Sequence, residues 1–160
     1  MRPFLLTCWA AGTAVLVLTG SLSSQVSITL TGAPNVFPAP TLADFSAGVI
    51  AEPTGILFTV NQTGGPANVI HTTIVAIRAS SASLGGGKAL SDLEWRRADL
   101  ATWNPMTTTN ATIESRPIQK NQVNDTWNNT IFLRMQLRWA TDAPAVYTTG
   151  LVFTLTVTTP

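Results

Sequence analysis

Cysteine is almost absent from this chain of 160 residues and occurs once, at Cys8. It lies in an apolar segment, residues 4–18, that follows Arg2. A short basic start and an apolar segment too short to cross about 30 Å of hydrocarbon comfortably are typical of a secretory signal peptide. Ser21 and Ser23 predict a signal over residues 1–23, with an uncleaved anchor as the alternative. The mature chain then lacks cysteine, which excludes disulfide scaffolds, cysteine zinc sites and thiol catalysis.

Charge is also scarce. Asp, Glu, Lys and Arg make up 11 % of the residues, and the formal net charge is +1. Binding to nucleic acid or to an anionic membrane requires a basic surface, so we expect neither partner, and no membrane contact beyond the signal segment. The many Thr, Ser, Asn and Gly residues are common in secreted β-proteins. We therefore expect the protein outside the cell or on its surface, reached through the periplasm if the source is a diderm bacterium.

Residues that could catalyse a reaction are few. His71 is the single histidine and lies in a β-rich apolar run, without a Gly-x-Ser-x-Gly motif or a cysteine nucleophile, so we interpret it as structural. Asp92 and Glu94 could project from one strand face, and glycoside hydrolysis needs such a carboxylate pair. Three basic side chains are close in sequence, which favours a solvated charge cluster. We expect a non-enzymatic protein with no cofactor and no metal.

An Asn-rich segment, residues 121–129, is predicted to be a loop. Asn124, Asp125, Asn128 and Asn129 could offer oxygen atoms to calcium, but calcium prefers several carboxylates and only Asp125 is charged. Turn geometry, which Asn and Asp tolerate, is the preferred explanation. The Asn-x-Thr glycosylation pattern, which a chain rich in Asn and Thr also matches by chance, occurs at Asn61, Asn110, Asn124 and Asn128.

The chain is rich in a two-residue alternation of apolar and polar side chains. From residue 131 to 139 every second position is apolar: Ile131, Leu133, Met135, Leu137 and Trp139. The same alternation of apolar and polar residues occurs over residues 151–157, after a predicted turn at 141–144. A strand places every second residue on one face, whereas a helix scatters them. We predict that residues 130–158 form a hairpin of two long antiparallel strands. Each strand would have one apolar face, here called its dry face, which a second layer of structure must cover.

Other segments combine apolar alternation or β-branched residues with turns on either side. Strands are predicted over residues 25–31, 45–51, 56–61, 69–79 and 107–115. The run at 69–79 is apolar on both faces, which predicts a central strand, and the run at 107–115 would end at Arg116-Pro117. Residues 90–100 fit a helix or a strand, and we favour a strand or a short turn. This pattern predicts an all-β fold, a single antiparallel β-sandwich over residues 24–160, with a closed barrel as the alternative.

The first strand is set apart from the rest by proline. Val26, Ile28 and Leu30 alternate with Ser and Thr. The following residues 33–40 contain three prolines, which favour an extended tether over a paired strand. Residues 24–32 thus form a separable strand that could pair with its own sheet or with the edge of a neighbouring molecule, which is strand addition.

Three tryptophans are predicted to lie outside the clean strands, in polar loop-like surroundings: Trp95, Trp103 and Trp127. Flat aromatic side chains on loops can stack on sugar rings or anchor a protein partner. They can also close the ends of a sandwich, which is the preferred interpretation. Trp95 has charged neighbours on both sides and is the best candidate for partial exposure, whereas Trp139 is assigned to the dry face of its strand.

Near the end of the chain, residues 145–157 contain a turn with Tyr147 that leads into a strand of alternating Thr and apolar residues. This segment resembles the final strand of secreted pilin-like and spore-coat-U-like β-sandwiches, although a cysteine pair and an aromatic residue near the C-terminus are missing. The resemblance implies an immunoglobulin-like or fimbrial sandwich. We expect a structural or adhesive domain whose partner is another copy or another surface protein. The alternative is a carbohydrate-binding module in which the three loop tryptophans bind a glycan.

Overall fold

A computed structural model describes residues 15–16, 25–32, 35–63, 71–118, 125–142 and 145–158. Two short helical pieces are present in this part of the chain, the α-helix α1 (Leu42–Ala47) and a 3₁₀ turn (Leu90–Asp92). The strands are β1 (Val15–Leu16), β2 (Gln25–Thr31), β3 (Val49–Ala51), β4 (Ile56–Thr63), β5 (His71–Ala79), β6 (Leu93–Arg97), β7 (Asn104–Pro105), β8 (Ala111–Ile118), β9 (Asp125–Gln136) and β10 (Leu151–Thr158).

The strands form two sheets. The first has the order β1-β10-β5-β8, and the second has the order β2-β4-β9-β6-β7 with β3 also paired to β9. All pairs are antiparallel except that of β1 with β10. The chain is therefore an all-β sandwich, as predicted, and its described strands do not close into a barrel. β5 lies between β10 and β8, which confirms the central strand predicted at 69–79, of which residues 69 and 70 lie outside the described part.

The core lies between the two sheets and is built from the predicted dry faces. In β9 the side chains of Ile131, Leu133 and Met135 are fully buried. They belong to one apolar cluster with Phe153 and Leu155 of β10 in the other sheet. Full burial of side chains of this size stabilises the fold by about 1.5–3 kcal/mol each, relative to leaving them exposed.

The predicted strand at 131–139 ends earlier than expected, and the place assigned to Trp139 is wrong. β9 ends at Gln136, and Trp139 is 63 % exposed. The amide N–H of Asp142 donates to the carbonyl of Arg138 at 3.1 Å, which closes a turn directly after the strand. The turn directs Trp139 away from the core and onto the ring of Phe45, at 4.5 Å between centroids.

The predicted C-terminal hairpin is also wrong, because its two strands belong to different sheets. β9 pairs with β3, β4 and β6, whereas β10 pairs with β5 and β1. Hairpin loops usually contain two to five residues, and the connection from Gln136 to Leu151 is far longer. Alternation reveals that a strand has one dry face, but it does not identify the neighbouring strand. The two dry faces meet across the core instead of lying side by side.

Residues 45–47, predicted as the start of a strand, lie in α1, and only the end of that prediction is confirmed, by β3. Thr41 caps the helix: its hydroxyl accepts from the Asp44 N–H at 3.2 Å, and the Asp44 carboxylate accepts from the Thr41 N–H at 2.7 Å. Gly48 ends the helix in the left-handed conformation, with φ of 72°. The reciprocal hydrogen bonds between Thr41 and Asp44 stabilise the start of this helix, although the apolar alternation in the sequence predicts a strand.

Two further strand boundaries differ from the prediction. β8 runs through Pro117, which pairs with Thr72 of β5, although the prediction ended this strand at Arg116-Pro117. Proline is tolerated there because β8 lies at the edge of its sheet. β9 begins at Asp125, so the loop predicted at 121–129 is wrong from that residue onward, and residues 121–124 lie outside the described part. The strand favoured within residues 90–100 is confirmed as β6, after the 3₁₀ turn.

Part of the predicted tether packs against the body of the sandwich. Asn35 and Phe37 are each 2 % exposed, and the side-chain amide of Asn35 donates to the carbonyl of Gly55 at 3.3 Å. Val36, between them, is exposed. Residues 35–37 therefore fix the chain that follows β2 to the turn before β4.

Candidate functional site

Two edges of the sandwich carry residues that block pairing with further strands. β8, at one edge of the first sheet, contains Glu114, Arg116 and Pro117. β7, at one edge of the second sheet, consists of only Asn104 and Pro105. Charged side chains, proline and very short edge strands are the usual protection against edge-to-edge association. We call β7 and β8 the guarded edges.

On the opposite side of the sandwich, the first sheet ends in β1, a strand of two residues, and the second sheet ends in β2. β2 and β10, the strand next to β1, contain neither proline nor a charged residue along their whole length. The two strands lie in different sheets but come close to each other on the same side of the sandwich. Backbone N–H and C=O groups at a sheet edge are open to pairing with an added strand. We call this side, formed by β2 and β10, the open side.

A short parallel strand lies against β10 on the open side. Val15 pairs with Thr154, and Leu16 pairs with Leu155. Among the described residues these two are the only strand partners on that side of β10, because β5 occupies the other side. β1 covers two of the residues of β10 and leaves the rest of this edge without a strand neighbour in the described part of the chain.

The residues proposed for strand addition alternate as predicted. Val26 is 4 % exposed, and the half-buried Ile28 and Leu30 pack against the core. The strand pairs with β4 of its own chain along its whole length, with Ile28 opposite Val60 and Leu30 opposite Phe58. β2 thus completes the second sheet of its own chain.

Two of the three candidate tryptophans are buried in strands, so their prediction as loop residues is wrong. Trp95 in β6 is 5 % exposed and Trp127 in β9 is 4 % exposed. The charged neighbours of Trp95 point outward and the indole points inward, because adjacent strand residues face opposite sides. Trp127 packs edge-on against Phe58 at 5.7 Å between centroids. Neither indole can stack on a ligand from this position.

Trp103 is half-buried and lies between β6 and β7, as the loop prediction required. The guanidinium carbon of Arg134 lies 4.5 Å from the ring centroid, and that of Arg96 lies 5.1 Å from it. Arg96 also lies 5.0 Å from the ring of Phe132. Alternation along β6 and β9 brings these groups together on the outer face of the second sheet, a cluster that sequence spacing alone does not reveal.

Asp92 and Glu94 contact different cations and do not form a carboxylate pair on one strand face. The Glu94 carboxylate accepts from Arg134 at 2.6 Å and from the Gln136 amide at 2.7 Å. Asp92 belongs to the 3₁₀ turn, is 5 % exposed and accepts from Arg138 at 2.9 Å. The predicted solvated cluster is therefore a set of ion pairs that are partly or largely shielded from water.

Several of the other sequence candidates lie at the margins of the described part of the chain. His71 begins β5, and its side chain lies outside the described part, as does Asn124. In the part of the chain that the structure describes, no group of three or more His, Cys, Asp or Glu side chains could hold a metal ion. No helix in these same ranges has the length and apolar character needed to cross a membrane. No protein-family model matches the chain, and no curated protein sequence is similar to it.

Proposed function

We propose that this chain is a non-enzymatic, secreted or cell-surface structural and adhesive β-domain that assembles by strand addition at its open side. The observation that carries the proposal is the contrast between edges. Proline and charge protect β7 and β8, whereas β2 and β10 carry neither. A monomeric β-protein normally protects every exposed edge, so an unprotected pair of edges on one side supports a pairing surface.

Signal cleavage would enlarge that surface. Cleavage after Ser23 removes Val15 and Leu16, the strand partners of Thr154 and Leu155. The N–H and C=O groups on the side of β10 away from β5 could then pair with an extended segment that has alternating apolar and polar side chains. Leu155 and the neighbouring inward residues are buried, so an added strand with alternating apolar side chains would extend the existing core layer.

The donor that fits best is β2 of a second copy. Val26, Ile28 and Leu30 have the required alternation, and the strand has no charge to oppose burial. β2 and β10 lie on the same side, so one molecule offers both a donor strand and an acceptor edge. Because donor and acceptor lie on the same side, two copies can exchange these strands reciprocally and form a closed two-fold pair.

Sizing and negative-stain imaging of residues 24–160, with and without residues 25–34, test the proposal. We expect the longer chain to form assemblies and the shorter chain to remain monomeric or to bind a synthetic peptide of residues 24–32. If both chains are well-folded monomers at high concentration, strand donation by β2 is excluded.

A further inference from the structure

A buried lysine is surrounded by carboxylates at one end of the sandwich. Lys88 precedes the 3₁₀ turn, and Asp142 lies in the connection that follows β9. Their side chains are 1 % and 6 % exposed, and that of the adjacent Asp92 is 7 % exposed. Neither the strand pairing nor the open side uses these groups. Burial of charges is costly unless they are closely paired, so the arrangement requires an explanation.

The geometry brings the lysine nitrogen against one carboxyl group. Nζ of Lys88 lies 2.7 Å from Oδ1 and 2.6 Å from Oδ2 of Asp142. It also donates to the Gln136 carbonyl at 2.6 Å and lies 3.3 Å from Oδ2 of Asp92. Since Nζ is close to both oxygens of Asp142, the carboxyl carbon between them is also within contact distance. An amine held this close to a carboxyl carbon has only a short distance to move before a C–N bond can form.

The surrounding groups match the needs of acyl transfer to the amine. The Arg138 amide N–H donates to Oδ2 of Asp142 at 2.8 Å, where it can stabilise negative charge on that oxygen. Asp92 offers a carboxylate oxygen next to Nζ, and Arg138 Nη1 holds Asp92 in place at 2.8 Å. A positioned carboxylate can accept and return a proton during the reaction.

We propose that Lys88 and Asp142 condense to form an intramolecular isopeptide bond. The Lys88 ammonium passes one proton to Oδ1 of Asp142, 2.7 Å away, which gives a free amine beside a neutral carboxylic acid. The amine attacks Cγ of Asp142 to form a C–N bond. Asp92 accepts a proton from the attacking nitrogen and returns it to Oδ1, and the bond from Cγ to Oδ1 breaks to release water. Oδ2 remains as the amide oxygen, bonded to the Arg138 N–H. Ammonium and carboxylate give amide and water, with no change of oxidation state and no co-reactant.

The bond would join the two ends of a long segment. Lys88 and Asp142 are 54 residues apart, and β6, β7, β8 and β9 lie between them. A covalent link at this place prevents extension of the whole segment when force acts on the ends of the chain. The sandwich contains no cysteine in its described residues, so this link would do the work that disulfides do in other extracellular domains.

Tryptic peptide mapping of the denatured full chain by mass spectrometry tests the proposal. We expect residues 79–96, uncut after Lys88, joined to residues 139–160 with the loss of one water molecule. Lys88→Arg keeps the positive charge but cannot form this amide, so its peptides should have their full sequence masses. Asp92→Asn keeps both reacting groups and should slow the appearance of the linked peptide at least tenfold after refolding, because the proton acceptor is lost.

Each outcome bears on the bond. Free peptides 79–88 and 139–160 from the wild-type protein would show that the cluster is an ion pair only. Loss of water confined to peptide 139–160 in both wild type and Lys88→Arg would indicate a cyclised aspartate and overturn the proposal. Equal cross-linking rates in wild type and Asp92→Asn would show that Asp92 does not transfer a proton in the reaction, and would overturn the role proposed for it. If a variant fails to fold, the peptide map of the wild-type protein is sufficient, because it shows directly whether the linked peptide is present.

Discussion

Val15 pairs in parallel with Thr154 at the edge of the first sheet. One residue lies in the segment predicted as a signal peptide, and the other lies in the last strand of the sandwich. The pair demonstrates that the outward backbone groups of β10 can accept a strand in the parallel direction. It also places this pairing on the open side, next to β2.

The first prediction concerns the core. Ile56 and Leu57 are adjacent in β4, but Ile56 is fully buried and Leu57 is 36 % exposed. We expect Ile56→Ala to lower the free energy of unfolding by about 2–5 kcal/mol, because it removes apolar contacts and leaves a cavity. Leu57→Ala, a matched control, should cost less than about 1 kcal/mol. Denaturant unfolding measures both, and equal losses would contradict the assigned faces of β4.

A second prediction follows from Glu52, which is buried in the turn between β3 and β4. Its carboxylate accepts hydrogen bonds from Thr54 and Gly55. Burial alone would raise the pKa of Glu52, but hydrogen bonds from Thr54, Gly55 and Asn35 outweigh burial and hold it below its ordinary value of 4.5. A lowered pKa stabilises the folded state above the unfolded value, and this stability is lost as the pH falls through the folded value.

Glu52→Gln should therefore lower the free energy of unfolding by about 1–3 kcal/mol at neutral pH, because hydrogen bonds to a charged acceptor are replaced by weaker ones. The difference from wild type should shrink as the pH falls below 4.5, where the wild-type carboxyl becomes protonated. Urea unfolding at a series of pH values measures this. A difference that stays constant down to the lowest pH would argue against the role assigned to the Glu52 carboxylate.

The third prediction concerns Trp103 and its two guanidinium neighbours. Trp103→Ala removes the contacts with Arg96 and Arg134 and should cost about 1–2 kcal/mol of stability, since exposed cation–π pairs contribute about 0.5–1 kcal/mol each. Trp103→Phe should keep part of that stability. Glycan-array binding that disappears in folded Trp103→Ala but survives in the control variant Leu57→Ala would favour a carbohydrate-binding module over the structural role.

Much of the sandwich is predictable from local patterns. The alternation of apolar and polar residues identifies the strands β2, β4, β9 and β10 and their buried faces, because a strand has only two faces and one of them packs against the core. The same alternation cannot identify which strands are neighbours, so it predicts a hairpin of β9 and β10, although these strands belong to different sheets. Pairing depends on contacts between residues far apart in sequence.

The site is less predictable than the fold, for a similar reason. The charged residues that flank Trp95 predict its partial exposure, yet flanking charges in a strand leave the residue between them on the inner face, where Trp95 is buried. The cluster of Trp103 with Arg96 and Arg134 and the contact of Lys88 with Asp142 both join residues from different elements. The contrast between guarded and open edges becomes visible only once the order of strands is known.

The open side is tested most directly by light scattering and sedimentation of residues 24–160 as a function of concentration, with one lysine placed on each edge of the first sheet. Thr156 lies on β10, and Thr112 lies on β8, on the other side of β5. A charge on an edge strand opposes strand addition. We predict that wild type and Thr112→Lys assemble and that Thr156→Lys remains a folded monomer. Assembly of Thr156→Lys equal to that of wild type, or a monomeric wild type at every concentration, would contradict the account.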